Sequence, residues 1–591
     1  MILDDLDRYY RMKVKDPQSF MPRPGWSAAK VSWEFRIDDG GRLISIVPLG
    51  TEKMKYKQML VPEQPSRTSG VKPFFLCDKA AYFIGLGDKR GMQMRDESAE
   101  LHHSVLDGVD DPGAQAVLKF YDRHTAFSDI DSKTLELLQE GGLIVFRYLP
   151  DLTLVHERHA VVVAWERSLS SGRDGDLIQC AVTGKRAEPA QLFPSTRGIP
   201  GAQSSGASLV SFNCNSFCSY RRNTDDQAKN ASISSEAAFN VGAALRYLVT
   251  APDHYVDIGD TRVIYWTEDD SSESLGFVSL FLDPDAANKA VREDEALLAG
   301  LRQRLDGIRR GKDTVPITRS TKFFVMGLAP NNARISVRFF QTGTLGLLEE
   351  HFSQYLRDLD LLDYKGESVP SRALRAYLYQ TAAQGKKENV PSPLVCSSVE
   401  AMLRGTLFPP ALFNQLLMRT RVDKGYSGSA KKYDAIQLRV PMLKACLLRK
   451  ARWLGDHKLE RSLTVSLNED NLNAGYLLGR LFAVLEKVQE EAVPGANSTI
   501  RDRFIGSASA TPARVFPQLL KNGQHHIEKA EYGSLLDRKI QEIIALIDSA
   551  EGFPATLSYD DQGQFFIGYY QQKQALYAKK TTVNQEETDN D

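Results

Sequence analysis

The chain has 591 residues, of which 42% are hydrophobic and 25% are charged. These fractions are typical of globular proteins, so they exclude a wholly disordered chain and a bundle of membrane helices, and the length predicts roughly two to four domains. The formal net charge is −1, from 74 Lys and Arg against 75 Asp and Glu. Binding of nucleic acid must therefore depend on a local basic patch.

The cysteines and the first residues predict a reducing compartment, the cytoplasm. Six cysteines are scattered without the spacing of a disulfide framework, and the residues after Met1 lack a basic and apolar leader. The longest apolar runs, 160–165 and 277–282, are too short for a membrane helix of about 20 residues. We interpret both runs as buried strands, and we expect no membrane association.

The first part of the chain, residues 1–400, mixes strand and helix patterns. Alternating apolar residues flank Asp38-Asp39-Gly40-Gly41, which predicts a β-hairpin. A helix follows a strand between 207 and 266, and two further strands, 322–327 and 334–341, are joined by a turn. These patterns predict an α+β body.

Helical patterns dominate the second part of the chain. Apolar stripes predict helices over 476–492 and 535–549, Thr511-Pro512 predicts a helix start, and another helix is expected near Gln564. Residues 466–580 are therefore predicted to form an antiparallel bundle. The predicted fold is thus α+β and multidomain, and residues 581–591, which are polar and acidic, are predicted to be a disordered tail.

A basic connector, residues 401–465, is predicted between the body and the bundle. Residues 401–461 contain thirteen Lys or Arg against four acids, a net charge of +9. Cationic residues also lie between the apolar residues of the predicted bundle, and a helix can place such residues on one face for contact with phosphates. The cations predicted to line a channel for DNA are Lys444, Arg449, Arg480, Arg501, Arg503, Arg514 and His525, with Lys521 and His526 beside them.

One loop, residues 67–75, has the composition of a DNA-reading element. Arg67, Thr68, Ser69 and Lys72 supply donors, and Phe74 or Phe75 could act as an apolar wedge between bases. We predict that this loop binds DNA. The alternative is a surface loop whose phenylalanines begin the core.

Signatures of catalysis are weak in this sequence. The glycine-rich run 85–91 lacks the Lys-Ser/Thr of a phosphate loop, and the Cys and His spacings do not match a zinc site. Two acidic clusters could hold magnesium for a nuclease, although clustered acids more often belong to solvated turns. They consist of Asp107, Asp110 and Asp111, and of Glu268, Asp269 and Asp270. We expect no catalytic residue, no metal and no cofactor.

Several ordered segments together resemble one family over nearly the whole chain. They are VTG at 182–184, GAQSSGASLVSFN at 201–213, SFCSY at 216–220, AAF at 237–239, GLAPNNAR at 327–334, GRLFAVLE at 479–486, TIRDRF at 499–504, VFP at 515–517 and QHH at 524–526. On these segments the chain resembles the large subunit of the type I-C CRISPR Cascade effector complex, formerly called the Dvulg subtype.

The resemblance implies a non-catalytic subunit of an RNA-guided surveillance complex. Such a subunit recognises the protospacer-adjacent motif, helps to unwind double-stranded target DNA, stabilises the displaced single strand and helps to recruit a helicase-nuclease, while guide RNA reads the sequence by pairing. The implied partners are target DNA, guide RNA, the helicase-nuclease, and the backbone, foot and small subunits of Cascade.

The resemblance also implies that the C-terminal bundle resembles a Cascade small subunit and is made separately from an internal start. No Met follows Met442, so a start near Val465 or Leu467 would need a non-AUG codon. Two alternatives remain open at this point: a metal-dependent nuclease that uses the acidic clusters, and a structural assembly protein that does not contact DNA.

Overall fold

The computed structural model describes most of the chain, in two compact units. It describes residues 1–16, 19–50, 55–64, 70–87, 89–123, 130–170, 177–212, 214–218, 230–282, 307, 318–369, 372–423, 426–428, 431–433, 435–495, 498–547 and 552–578. The first unit comprises Met1–Gly198, Ala202–Tyr247 and Asn331–Ile335, and the second comprises Ile199–Gly201, Leu248–Pro330 and Ser336–Asp591. The expected divisions at 400 and 465 do not coincide with this boundary, and the predicted tail 581–591 lies outside the described residues.

The first unit is a mixed α/β structure. Its helices are α1 (Ile2–Lys13), α2 (Ala80–Phe83), α3 (Lys89–Leu106), α4 (Pro112–Asp122), α5 (Ser132–Gln139), α6 (His159–Ser170) and most of α7 (Ser235–Thr250). Its strands are β1 (Trp26–Ile37), β2 (Leu43–Pro48), β3 (Lys57–Pro62), β4 (Cys77–Asp78), β5 (Leu143–Tyr148), β6 (Thr153–Leu154), β7 (Ile178–Gln179), β8 (Arg186–Ala187), β9 (Ser195–Thr196) and β10 (Ala207–Ser208).

The predicted hairpin is the β1–β2 pair, and its turn has the expected chemistry. The Asp38 carboxylate accepts the main-chain N–H groups of Gly40 and Arg42 at 2.9 and 2.8 Å, and Gly41 has a φ of 72°. Strand β1 also pairs with β3 antiparallel and with β5 parallel, and β5 pairs with β4 and β6. The turn chemistry was therefore enough to predict the start of this sheet.

One face of this sheet packs against helices around a cluster of aromatic side chains. Phe35, Phe83 and Phe146 are completely buried there. Residues 160–165, which were predicted to form a buried strand, lie instead in α6, so this prediction is wrong. An apolar run that is too short to show a period does not distinguish a strand from a buried helix segment, and the packing against the core decides.

The second unit is mainly helical. Its helices are α8 (Ser272–Leu282), α9 (Leu345–Leu359), α10 (Leu374–Thr381), α11 (Ser392–Arg404), α12 (Pro410–Val422), α13 (Ala435–Leu454), α14 (His457–Ser462), α15 (Ala474–Ala492), α16 (Ile500–Ala508), α17 (Pro512–Ile527), α18 (Gly533–Leu546) and α19 (Tyr559–Tyr577). Its strands are β11 (Tyr255–Ile258), β12 (Thr261–Thr267), β13 (Lys322–Asn331), β14 (Arg334–Thr344), β15 (Tyr426–Gly428) and β16 (Lys431–Tyr433).

The four strands β11 to β14 are neighbours in chain order, and helix α8 packs beside them. Residues 277–282 belong to α8, so the prediction of a strand is wrong here as well. Every residue from Ser274 to Leu282 is buried, which explains why the sequence shows no amphipathic period. Together with the mainly helical C-terminal part, these sheets confirm the predicted α+β multidomain class.

The C-terminal helices share one hydrophobic core with residues 401–465, the predicted connector. Within this core, α15 and α19 run parallel, because Gly479 lies against the main chain of Phe565 and, further along both helices, Glu486 contacts Lys573. A Cβ atom at Gly479 would lie 2.0 Å from the Phe565 oxygen, so this close approach requires glycine. For these two helices, the expected antiparallel arrangement is wrong.

Candidate nucleic-acid interface

Two cations of the predicted connector, Lys444 and Arg449, are buried in α13, with exposed fractions of 1% and 4%. The Lys444 Nζ donates to the main-chain oxygens of Asp358 and Asp360, at 3.3 and 2.8 Å, where α9 ends. Burial lowers the pKa of Lys444 to about 8. An ammonium group in this position cannot reach a phosphate, so the prediction that Lys444 binds DNA is wrong.

The Arg449 guanidinium binds main-chain carbonyl groups at the end of α11. Its Nη1 donates to the main-chain oxygens of Ala401 and Thr406, at 2.9 and 2.8 Å, and the group lies 4.1 Å from the centre of the Phe408 ring. The prediction that Arg449 lines a DNA channel is therefore also wrong. Cations stabilise the carbonyl ends of helices, so internal helix ends account for part of the excess charge in 401–461.

Arg480 has the same kind of structural role between α15 and α19. It is 3% exposed, its Nε donates to the Gln572 Oε1 at 3.1 Å, and its Nη1 donates to the main-chain oxygen of Glu469 at 3.3 Å. A buried guanidinium with these partners joins two helices and is not available to DNA. The prediction for Arg480 is wrong for this reason.

An exposed polar and basic face remains on α17, and we call it the α17 face. It consists of Arg514, Gln518, Lys521 and His525. These residues follow each other at intervals of four, three and four, so they lie on one stripe of the helix. The opposite side of α17 is buried in the core through Val515, Phe516 and Leu519. The structure thus brings together the predicted residues Arg514 and His525.

The start of α16 lies beside α17. Arg503 is exposed, its Nε donates to the Ser498 Oγ at 3.1 Å, and it lines a cavity of about 100 Å³ with Asn522 and His526 of α17. Arg501 is half-buried and points elsewhere, with its guanidinium 6.0 Å from the ring of Tyr569. Arg503 therefore extends the basic surface, and Arg501 is not part of it.

Sequence reasoning missed two members of this surface, Gln518 and Asn522. Both side chains are uncharged, so a search for Lys and Arg does not find them. The signal that identifies Gln518 is its helical spacing from Arg514 and Lys521, once Thr511-Pro512 fixes the start of the helix.

The loop predicted to read DNA is only partly described. Arg67, Thr68 and Ser69 lie outside the described residues, Lys72 is exposed and Phe74 is half-buried. Phe75 is 1% exposed, and its ring stacks on Trp165 with 4.9 Å between the ring centres. The prediction of Phe75 as a wedge between bases is therefore wrong, because this side chain belongs to the core of the first unit.

The base of this loop is held by hydrogen bonds to buried groups. The Gln64 Nε2 donates to the main-chain oxygen of Cys77 at 2.8 Å, and the main-chain N–H of Phe74 donates to the Asp78 carboxylate at 2.8 Å. The N–H of Leu76 donates to the His102 Nε2 at 2.9 Å. Burial lowers the pKa of His102 to about 4, so the ring is neutral near pH 7 and its Nε2 can accept this bond. Lys72 therefore lies next to a segment whose main chain is held in place by these hydrogen bonds.

The two acidic clusters have structural contacts in turns and at helix starts. Asp111 accepts the N–H of Ala114 at 2.9 Å at the start of α4 and forms an ion pair with Arg158 at 2.8 Å. Asp269 accepts the hydroxyl groups of Thr267 and Ser274, both at 2.9 Å. Among the residues that the structure describes, no three His, Cys, Asp or Glu side chains form a group that could hold a metal ion.

The geometry is that of a multidomain α+β protein with a basic helical face as its candidate nucleic-acid surface. No helix in the described part of the chain is both long and apolar enough to cross a membrane. The family model described as CRISPR-associated protein (Cas_Csd1) matches residues 6–577. The chain therefore belongs to the Cas_Csd1 family of CRISPR-associated proteins, which confirms the resemblance predicted from the sequence.

Family membership supports a Cascade subunit, with guide RNA and other Cascade subunits as its partners. A comparison with curated proteins finds no match.

Proposed function

We propose that the chain is the non-catalytic large subunit of a type I-C Cascade complex in the cytoplasm. In this role it recognises the protospacer-adjacent motif, helps to unwind the target duplex, stabilises the displaced strand and helps to recruit the helicase-nuclease. The family match over residues 6–577 is the observation that supports this proposal. Guide pairing then supplies sequence specificity, and the protein needs only short and reversible contacts with DNA.

Contact with the displaced strand is assigned to the α17 face and Arg503. From Arg514 to His525 the helix rises about 16 Å at 1.5 Å per residue, which is long enough to contact more than one phosphate of a strand. The cations on this face are exposed, and the apolar side of the helix is anchored in the core. A rigid helix with exposed cations can follow a phosphate backbone without reading its bases.

Motif recognition is assigned to the loop that carries Lys72 and Phe74. Lys72 can donate to a base edge or a phosphate, and the hydrogen bonds of Gln64, Asp78 and His102 fix the base of the loop.

The proposal is tested by assembling the guide-loaded complex with and without this chain. A target duplex with 2-aminopurine beside the motif reports unwinding through its fluorescence. We expect motif-dependent unwinding only when the chain is present. Equal unwinding without the chain would contradict the proposal, and it would favour a structural assembly protein.

The nuclease alternative has its own test. Cleavage of DNA by the purified chain with Mg²⁺, abolished by Asp107→Ala or Asp269→Ala, would favour a metal-dependent nuclease. Absence of cleavage together with motif-dependent unwinding would favour the non-catalytic role.

A further inference from the structure

A second cavity lies at the C-terminal ends of α15 and α19, apart from the side chains of the α17 face. Its volume is about 710 Å³, within the range of ligand pockets. Its lining includes Tyr364, Glu486, Gln489, Glu490, Lys573 and Tyr577. Carboxylates, amides and aromatic rings thus dominate this cavity.

The cavity is electrically negative for two independent reasons. Helices α15 and α19 run parallel, so their last carbonyl groups, which bear partial negative charge, lie at the same end. Glu486 and Glu490 add two carboxylates. The pKa of the Tyr577 hydroxyl is raised by burial and by these two nearby carboxylates, as expected for a phenol in a negative field.

The cations near the cavity offset only part of this charge. The Lys573 Nζ donates to the Glu486 Oε1 at 3.1 Å, so these two residues compensate each other. Lys487 lies 3.6 Å from the Glu491 carboxylate and 4.4 Å from the centre of the Tyr577 ring, so its charge is shared between these two groups. Glu490 accepts the hydroxyl of Tyr577 and has no ion pair within the described part of the chain. One carboxylate next to an aromatic ring is therefore left for an additional donor.

We propose that this cavity is a docking site for an arginine or lysine side chain presented by a protein partner. The inference deepens and rests on the proposed function, because it gives the C-terminal bundle a protein contact within the complex. A guanidinium or ammonium group would form charge-assisted hydrogen bonds with the Glu490 carboxylate, beside the Tyr577 ring that Lys487 already contacts. The remaining volume accommodates the backbone that carries this side chain.

Charge complementarity favours a protein partner over nucleic acid. The carboxylates and helix carbonyl ends repel phosphates, whereas the α17 face has the opposite charge. The bundle thus carries two binding chemistries, a basic surface for DNA and an acidic cavity for a basic protein segment, and Gln489 and Thr499 line both this cavity and the one beside Arg503.

The test uses the full-length chain and two small probes, N-acetyl-arginine amide and N-acetyl-citrulline amide. The citrulline compound has nearly the same shape without the charge. Saturation-transfer NMR should detect the arginine probe and not the citrulline probe, and Glu490→Gln should weaken binding about fivefold. The matched control is Glu542→Gln, an exposed carboxylate of α18, which should leave binding unchanged.

Three results would overturn the proposal: equal binding of both probes, an equal effect of Glu542→Gln, or displacement of the arginine probe by single-stranded DNA. The last would indicate that nucleic acid occupies the cavity. A second measurement is the incorporation of Glu490→Lys into the complex co-expressed with the other Cascade subunits. We expect lower incorporation with unchanged affinity for single-stranded DNA, and normal incorporation would contradict the docking role.

These readouts separate the two proposals. If the chain fails to bind DNA while the arginine probe still depends on Glu490, the proposed function fails and the docking site remains. If DNA binding is intact and the probe does not depend on Glu490, only the docking site fails.

Discussion

If the α17 face binds DNA, removal of its cations should change the salt dependence of DNA binding by a calculable amount. Changing both Arg514 and Lys521 to Gln removes two exposed cations without emptying the core. If both side chains contact phosphates of a single strand, each contributes about 0.7 to the magnitude of the slope of log affinity against log salt concentration. The double variant should therefore have a slope that is smaller by about 1.4. At 0.1 M salt the affinity for single-stranded DNA should fall about fivefold for each lost contact and about 25-fold for the pair, or about 1.9 kcal/mol of binding free energy.

The assay is fluorescence anisotropy of a labelled single-stranded oligonucleotide across a salt series. The control is Lys133→Gln with Lys387→Gln, which removes two exposed cations from other elements. All four positions are exposed, so thermal unfolding should change little in either variant. An unchanged slope in the α17 variant, or the same loss in the control, would refute the assignment of this face.

Three further predictions follow from the burial of single side chains and the exposure of Lys72. Phe75→Ala should lower the free energy of unfolding by about 3–5 kcal/mol in urea titrations, because the ring is buried against Trp165; a loss below about 1 kcal/mol would contradict a core role. The difference in unfolding free energy between the wild type and Lys444→Met should grow in favour of the wild type between about pH 8 and pH 10.5, because unfolded chains keep the Lys444 proton that the folded protein releases; a difference in denaturant titrations that does not change with pH would show that Lys444 is not buried in solution. Lys72→Ala should reduce the salt slope for a motif-bearing duplex by about 0.9 and weaken the preference for the motif, whereas an unchanged preference would show that Lys72 does not take part in motif recognition.

Local chemistry explains the elements that the sequence predicted correctly. Asp38 and the glycines after it specify the β1–β2 turn through bonds within five residues, and Thr511-Pro512 marks the start of α17. The family could also be recognised from the sequence, because the resembling segments occur in order along the chain. The family match over residues 6–577 covers all of these segments. Such signals depend on neighbours in sequence and need no knowledge of the tertiary contacts.

The site residues were harder to predict, because burial depends on partners far away in the chain. Lys444 is held by carbonyl groups 84 and 86 residues away, Arg480 by an amide 92 residues away, and Phe75 by Trp165. In sequence, a cation that caps an internal helix end looks the same as one that binds phosphate. The α17 face was identifiable only in part, since helical spacing shows that Arg514, Lys521 and His525 share a stripe while their exposure requires the fold.

The most direct test of the account is a cross-link between the α17 face and the displaced strand in the assembled complex. Gln518 lies between Arg514 and Lys521 on this face and is uncharged, so a photoreactive p-benzoylphenylalanine there leaves the cations intact. With guide RNA and a target duplex bound, irradiation should attach the chain to the displaced strand, and the same group at Gln541 of α18 should give little product. Cross-links from Gln518 to protein alone, or equal DNA cross-links from both positions, would contradict the claim that the α17 face binds the displaced strand.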